Sequence, residues 1–335
     1  MNWGITADIH LKLYDDKEYT ETGLPLKLDE ILRTFRSMCL YLRNNKISKM
    51  AVLGDVNHTK QQAAVDAFSE FRKILEEFED ITFYIIPGNH DMTSKGKYKD
   101  GLPRTAVDLL SGPSNIVPIR RPTVIDNMSF VPYFSIDSIN DLTPTDILMT
   151  HLGLTDATLS NGISIRNRFR SSDFKKWKLI VSGHYHGPQH IDNFYYVGSL
   201  MPLTRAEFDE DKRFLILDSE TLELESVYTE GYRKYYEIII EDVGEFDIKL
   251  NEAEKLKKEG NFVVVRNRSE SVIREQLEGI NIIDEVEKDF QSRGLSSKMD
   301  DAEQMSKYLE IEKIPKEERK EYLDIGLNLI QASKD

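Results

Sequence analysis

The chain has 335 residues, 40% hydrophobic and 10% aromatic, the make-up of a folded protein with one large core of about 200 to 250 residues and a smaller appendage. Its net charge of −14 argues against a polyanionic partner, although the acidity is densest in the C-terminal third. The single cysteine, Cys39, excludes an internal disulfide, and no apolar run reaches the roughly 18 residues of a membrane span. With no basic and apolar leader pattern at the start, a soluble cytoplasmic protein with no membrane attachment is expected.

The first strand, residues 3–6, ends in Ala7-Asp8-Ile9-His10. Leu28, Ile31, Leu32, Phe35, Met38 and Leu42 then repeat at helical spacing and predict a helix over 28–44. A strand at 50–53 ends in Gly54-Asp55-Val56-Asn57-His58. A second helix, 61–78, carries Phe68, Phe71 and Phe78, which suit either the core or a dimer face. The strand at 81–86, β-branched and aromatic throughout, empties into Gly88-Asn89-His90-Asp91. Two βα crossovers in succession imply parallel strands with helices on the faces of the sheet.

A Gly- and Lys-rich loop (Lys95, Lys97, Lys99), a short helix at 104–110 and brief strands over 116–133 lead to two more such strands. One, 146–150, ends in His151; the other, 178–182, ends in Gly183-His184-Tyr185-His186, where Tyr185 could face the core or the cleft. Strands at 189–197, 212–218 and 222–229 read as an antiparallel continuation. From about residue 235 the rhythm changes to a small α/β unit, with strands at 236–241, 262–266 and 280–286 and helices at 246–258 and 270–278. The expected organisation is a first domain over 1–230, a second over 231–290, a linker over 291–300 and a helical segment over 301–335, its two helices broken at Pro315.

Six of the seven histidines fall at these five strand ends, interleaved with Asp8, Asp55 and Asn89. One histidine alone is more often an ordinary core or surface residue; six in this pattern are not. Neutral imidazole, carboxylate and amide oxygen suit a divalent ion such as Mn²⁺, Fe²⁺ or Zn²⁺, and the absence of cysteine among them speaks against a structural zinc site. So many donors exceed one coordination shell and suit two ions about 3.5 to 4 Å apart, sharing a carboxylate and a water-derived bridge. Two aspartates and a hydroxide leave such a centre a net charge of about +1, which attracts a phosphoester.

The series Asp8-x-His10, Gly54-Asp55, Gly88-Asn89-His90-Asp91, His151 and Gly183-His184-x-His186 resembles the signature of the calcineurin-like metallophosphoesterases, in the same order across about residues 4–200. His58 three residues after Asp55, the run Gly198-Ser199-Leu200-Met201-Pro202-Leu203 and the appended second domain are similar to the SbcD family of DNA double-strand-break repair nucleases. The length and the final pair of helices resemble the phage recombination nuclease subunits of that family. The resemblance implies an α/β fold: a two-sheet metallophosphoesterase sandwich flanked by helices, with a small α/β capping domain that binds DNA and C-terminal helices. It implies two divalent ions, Mn²⁺ with Mg²⁺ as the alternative. Asp8, His10 and His186 would hold one ion and Asn89, His151 and His184 the other, with Asp55 bridging. His90 matches the general acid, and His58 the position that orients substrate.

The implied activity is DNA exo- and endonuclease cleavage of phosphodiester bonds at double-stranded ends, in recombination, repair and replication. The implied assembly is a homodimer joined to an SbcC-type coiled-coil ATPase in a heterotetramer, gripped by the C-terminal helices, in the host cytoplasm if phage-encoded. Arg166, Arg168, Arg170, Lys175, Lys176 and Lys178, with the three loop lysines, are candidates for a phosphate footprint, or are simply solvated loops. The rival reading is a small-molecule phosphodiesterase or phosphatase of the same fold; Gly54 to His58 lacks the Asp-Arg-Gly run of the protein phosphatases. A metal-free scaffold that recruits the ATPase is the third.

Overall fold

The protein is seen as a computed structural model that describes residues 1–15, 18–97, 101–141, 145–269, 280–285 and 300–332. In chain order the first elements are β1 (Asn2–Thr6), α1 (Leu26–Asn44), β2 (Lys49–Leu53), α2 (Val65–Glu77), β3 (Thr82–Ile86), β4 (Met92–Lys97), β5 (Pro103–Thr105), β6 (Ile116–Pro118), β7 (Thr123–Ile125) and β8 (Met128–Val131). They are followed by β9 (Ile147–His151), β10 (Leu179–Gly183), β11 (Gln189–Ile191), β12 (Phe194–Tyr196), β13 (Arg213–Asp218) and β14 (Leu224–Tyr228). The remainder are β15 (Tyr235–Ile240), α3 (Phe246–Lys258), β16 (Phe262–Asn267), β17 (Asn281–Asp284), α4 (Asp301–Ile311) and α5 (Arg319–Ala332). The expected helix at 270–278, residues 291–299 of the expected linker, and Lys99 lie outside the described residues. No helix among the described residues is long and apolar enough to cross a membrane.

Two six-stranded mixed sheets carry the first unit, with orders β14-β13-β1-β2-β3-β6 and β11-β12-β10-β9-β8-β7. Each has four parallel strands: in the first, β1, β2, β3 and β6 run to one edge and β13 and β14 add antiparallel on the other side, and in the second, β12, β10, β9 and β8 sit between the antiparallel edges β11 and β7. The segment after residue 188 was expected to run antiparallel throughout, but β12 pairs in parallel with β10 and completes the second sheet, while β13 and β14 complete the first. Strand alternation explains the layering. Trp3, Ile5, Ala51 and Leu53 face Phe130, Met149 and Val181 in a core between the sheets. The opposite face of the first sheet, including Met50, Val52, Phe83 and Ile85, is covered by Phe35, Met38, Leu42, Phe68 and Phe71 of α1 and α2. Leu148, Ile180, Phe194 and Tyr196 on the outer face of the second sheet pack on Phe174 and Trp177. This is the expected two-sheet sandwich, an α/β fold whose sheets deliver the parallel strand ends to one edge.

Two local outcomes differ from the sequence pattern. Helix α2 begins at Val65 rather than 61, because the Asn57 amide donates to the carbonyls of Thr59 (2.6 Å) and Gln62 (3.0 Å), holding those residues in a turn. Its phenylalanines are core, with the Phe71 ring 4.7 Å from that of Phe35, so they offer no dimer face.

Contacts divide the chain into a unit of Met1–Glu237 with Lys258–Phe262, and a second of Ile238–Lys257 with the remainder. In the second, β16 pairs in parallel with β17 and has β15 on its other side, and α3 contributes Ala253 to a small core with Ile238, Ile240, Val263 and Val265. Helices α4 and α5 pack against each other, with the Met305 side chain lying over Gly326. Asp300 caps α4 through the Glu303 N–H at 2.8 Å.

Candidate metal centre

The carboxyl ends of β1, β2, β3, β9 and β10 meet at one edge of the sandwich. Backbone bonds lock the loops together: Asp8 N–H donates to Gly54 O (3.1 Å), and His10 N–H to Asp55 O (2.9 Å). Two glycines make that approach possible. A Cβ on Gly88 would stand 2.2 Å from Oδ1 of Asp55, and one on Gly54 2.3 Å from Nδ1 of His151. The side chains that follow are held in strained backbone, with φ of 53° at Asp8, 55° at His10, 51° at Asp55 and 100° at His184. Left-handed conformations at four non-glycine residues cost about 1 to 2 kcal/mol each and mark a site that the fold over-determines.

The side chains converge. Asp8, His10 and His186 place ligand atoms within 4.8 Å of one another, as do Asp8, Asp55 and His151. His10 Nε2 lies 3.0 Å from His186 Nε2, 4.0 Å from Asp8 Oδ1 and 3.9 Å from Asp55 Oδ2. On the other side Asn89 Oδ1 lies 3.1 Å from His151 Nε2 and 2.9 Å from His184 Nδ1, while His151 Nε2 is 3.4 Å from Asp55 Oδ2. Tautomers follow from the outer hydrogen bonds. His151 donates Nδ1–H to Leu53 O (2.7 Å), and His186 donates Nδ1–H to Glu207 Oε1 (3.0 Å), so each neutral ring turns a bare Nε2 inward. Bare nitrogens then face carboxylate and amide oxygens at close range, lone pair toward lone pair. A divalent cation resolves that conflict, and the donor set fits one.

Burial and the neighbouring charges pull these groups in opposite directions. Burial pushes the Asp8 carboxyl up to about 6 against the pull of His151 and His186. Asp55 is buried too, yet the neighbouring His151 holds its carboxyl well below the usual range. Burial alone would lower His151, but Asp55 and Asp8 raise it to about 9. Burial drives His10 well below its ordinary value and, with His151, takes His184 to about 3, which keeps both imidazoles available as neutral ligands. Asp8, His10, Asp55 and His151 are buried, whereas His58, Asn89, His90, His184 and His186 line the open side.

A family model for calcineurin-like phosphoesterases matches residues 1–188. The chain belongs to that family. Among curated proteins, Exonuclease subunit 1 of Enterobacteria phage T4 is 23% identical over 233 residues, 64% of this chain; the chain spans 64% of that relative's length. Among solved structures, a dimetal phosphatase of Danio rerio is 10% identical with a TM-score of 0.42, over 69% of this chain and 96% of that one. An archaeal phosphodiesterase is 14% identical with a TM-score of 0.35, over 68% and 99%. The nuclease MPE of Pseudomonas putida is 11% identical with a TM-score of 0.30, over 63% and 82%.

The two histidines outside the ligand clusters sit beside them in this calcineurin-like phosphoesterase. The His90 N–H donates to Asp55 Oδ1 (2.8 Å), and its Nδ1–H donates to the His58 carbonyl (2.5 Å). Its ring centre is 5.0 Å from that of His10, and the His58 ring is 5.1 Å from the same ring. Asp91 is turned away from the centre. Its carboxylate accepts N–H bonds from Asn57 (2.8 Å), Gly88 (2.8 Å) and Val56 (3.3 Å), clamping the loops after β2 and β3 together. Asp91→Ala leaves these buried donors unpaired and is expected to cost about 3 kcal/mol, read as a lowered denaturant midpoint. Tyr185, left open by the sequence, is core: its hydroxyl donates to Leu154 O at 3.0 Å.

The residues that sequence reasoning missed are those behind His186. Glu207, fully buried, accepts from His186, from the Ser199 hydroxyl (2.9 Å), from Thr204 Oγ1 (2.9 Å) and from Lys212 Nζ (2.8 Å). The equally buried Lys212 also donates to His186 O (2.9 Å) and Glu210 Oε2 (2.6 Å). Burial opposes the Glu207 charge, but His186 and Lys212 outweigh it and hold the carboxyl far below its ordinary range. A signal was present: Thr204-x-x-Glu207 is a capping box, and it opens the one-turn helix Arg205–Glu207. Glu207→Ala frees the His186 tautomer and leaves the buried Lys212 ammonium with Glu210 as its carboxylate partner. The expected result is about 1 to 3 kcal/mol of lost stability and roughly 10- to 100-fold weaker metal binding, measured by thermal melts and calorimetry with Mn²⁺.

The surface cations are less free than the local sequence suggested. Arg168 pairs with Asp137, Arg170 with Asp156 (2.7 Å) and Lys178 with Asp146 (3.0 Å), while Asp173 is spent on the Arg170 N–H (2.8 Å). These acids are distant in sequence or on the far side of a loop.

Proposed function

We propose that this metallophosphoesterase is a two-metal DNA nuclease subunit, using Mn²⁺ or Mg²⁺, that hydrolyses phosphodiester bonds at duplex ends. The observation that carries the reading is the convergence of Asp8, His10, Asp55, Asn89, His151, His184 and His186 on one cleft with His90 and His58 at its open side. The similarity to Exonuclease subunit 1 of phage T4 favours a nuclease over a phosphatase.

Bound divalent ions would polarise the phosphoryl oxygens and lower the pKa of the attacking water. Asp8, His10 and His186 form one ligand set and Asn89, His151 and His184 the other. Both aspartates lie near His10, but both Asp8 oxygens already face the His184 N–H at 3.2 and 3.0 Å, whereas Asp55 Oδ2 points to His151 and His10 together. Asp55 would therefore be the carboxylate that the two ligand sets share. The Nδ1–H of His90 is fixed on a carbonyl, so the proton that the imidazolium can release is on Nε2, and it goes to the leaving oxygen. His58 orients the substrate strand.

The name of the T4 relative calls it a subunit, and the chain has a surface suited to assembly. Tyr308, Tyr322 and Ile325 of α4 and α5 are each about half exposed at 49%, 47% and 49%. This apolar stripe is the proposed grip on a coiled-coil ATPase of the SbcC type, with the nuclease itself a homodimer. Arg168, Arg170 and Lys178 remain usable for DNA, since exposed ion pairs are worth about 1 kcal/mol or less and yield to phosphate.

The test is purified protein with Mn²⁺ on linear duplex, single strands and a chromogenic phosphodiester. Cleavage of the small ester alone would sink the nuclease reading. Co-purification with a coiled-coil ATPase, lost on deleting residues 301–335, tests the assembly.

A further inference from the structure

Strand β8 supplies no metal ligand, yet it ends at the metal edge. It lies parallel to β9 with Val131 opposite Thr150, so the chain leaves it beside the ligand His151. The residue that emerges there is Tyr133. Its N–H donates at 3.1 Å to the carbonyl of Pro87, in the loop that carries Asn89, and the Ser135 N–H closes a turn on the Pro132 carbonyl at 2.9 Å. Val131 and Pro132 before it are buried, and Ile136 after it packs on the outer core of the second sheet. This base holds the Tyr133 ring with its centre 6.3 Å from that of His151, at an interplanar angle of 81°.

Folding alone does not account for this side chain. Tyr133 is 37% exposed, whereas its neighbour His151 is fully buried. His151 has no need of the ring for its own orientation, since its Nδ1–H is fixed on the Leu53 carbonyl at 2.7 Å. Tyr14, the ring beside His58, is different: its hydroxyl is committed to the His10 carbonyl at 2.8 Å. The Tyr133 hydroxyl makes no hydrogen bond among the described residues. Of the exposed tyrosines there, Tyr19, Tyr133, Tyr228, Tyr308 and Tyr322, only Tyr133 has a ring contact with a ligand residue. A rigid, flat, apolar face beside a phosphoester centre suits the one flat group that every nucleotide presents.

We propose that Tyr133 is the stacking platform for a nucleobase of the substrate, that of the nucleoside which keeps the scissile phosphate. The side follows from the rings. His90 and His58 adjoin His10 of one ligand set, at 5.0 and 5.1 Å, and His90 serves the leaving oxygen. Tyr133 adjoins His151 of the other set, so it meets the part of the diester that stays with phosphorus. Stacking uses the face of a base and not its hydrogen-bonding edge, so the platform accepts all four bases. It needs a base with one face uncovered, as at a strand end. The ligand rests on the nuclease reading of the same centre; the chemistry requires only a diester with a base on its retained side.

Four small substrates test it: the p-nitrophenyl esters of thymidine 5′- and 3′-monophosphate, and the two matching esters of the abasic sugar 1,2-dideoxyribose, in Mn²⁺. All four share one leaving group, so its ring cancels in the comparison. In one polarity the wild-type KM should be roughly tenfold lower with the base than without it, about 1.4 kcal/mol. Tyr133→Leu should bring that ratio close to one, while Tyr133→Phe and Tyr133→Trp keep it, because the face stacks and the hydroxyl is not used. Raising the salt should leave the ratio unchanged, which a phosphate contact would not. Calorimetry should count the same equivalents of Mn²⁺ in every variant as in the wild type, whereas a residue that only propped His151 would lose metal on substitution. The platform is refuted if the wild type ignores the base in both polarities, if Tyr133→Leu loses equally with and without the base, or if Tyr133→Phe behaves as Tyr133→Leu does. Cleavage of the esters without cleavage of any DNA overturns the nuclease reading instead, and the ratio still decides the platform.

Discussion

Asp55→Ala is expected to abolish binding of both metal ions and lower phosphodiesterase activity by at least about 10³-fold, the several kcal/mol a two-ion site supplies. Asp55 Oδ2 is 3.4 Å from His151 Nε2 and 3.9 Å from His10 Nε2, one donor from each ligand set. Removing it also takes from His151 the carboxylate that most strongly raises its pKa. Asp55→Asn keeps an acceptor for the His90 N–H and separates loss of charge from loss of shape. Titration calorimetry should show two equivalents of Mn²⁺ in the wild type and none in either variant, with the far-ultraviolet dichroism unchanged. Asp8→Asn is the control, expected to lose one equivalent. If Asp8→Asn loses both and Asp55→Asn only one, the bridging role belongs to Asp8, whose carboxylate the geometry also places near both clusters.

The strand ends were legible because parallel strands announce themselves: β1, β2, β3, β9 and β10 are short apolar runs stopped by glycine or by a polar ligand residue. That pattern is local, and so were His10, Asp55, Asn89 and His151. What the sequence hid depends on contacts between distant residues. Glu207 and Lys212 look like members of a solvated acidic loop, and only folding buries them against His186. The start of α2 is set by the amide of Asn57, which is not part of the helical pattern, and the direction of β12 is set by the strand it joins rather than by its own residues. The phenylalanines of α2 illustrate the same limit, since an apolar stripe states that a face is covered and not by what.

His90→Ala should separate chemistry from metal binding. The side chain contributes no atom to the two metal-competent clusters, and its Nδ1–H is anchored on the His58 carbonyl at 2.5 Å, which leaves Nε2 for the reacting group. The variant is expected to bind Mn²⁺ with wild-type stoichiometry and lose about 10²- to 10⁴-fold in kcat on DNA, the usual range for a positioned acid. A leaving group that departs unaided provides the sharper comparison. On a p-nitrophenyl diester the departing phenolate needs no proton, so the same variant should lose tenfold or less on the order-of-magnitude scale of acid catalysis. An equal loss on both substrates would assign His90 to orienting Asp55 through its backbone neighbour or to stabilising charge, and an undiminished rate on DNA would remove it from the reaction. His58→Ala should behave differently: because its ring lies beside His10 and His90 without touching Asp55, its effect should fall on KM for DNA more than on kcat. The pair of variants therefore separates an effect on proton transfer from an effect on substrate placement.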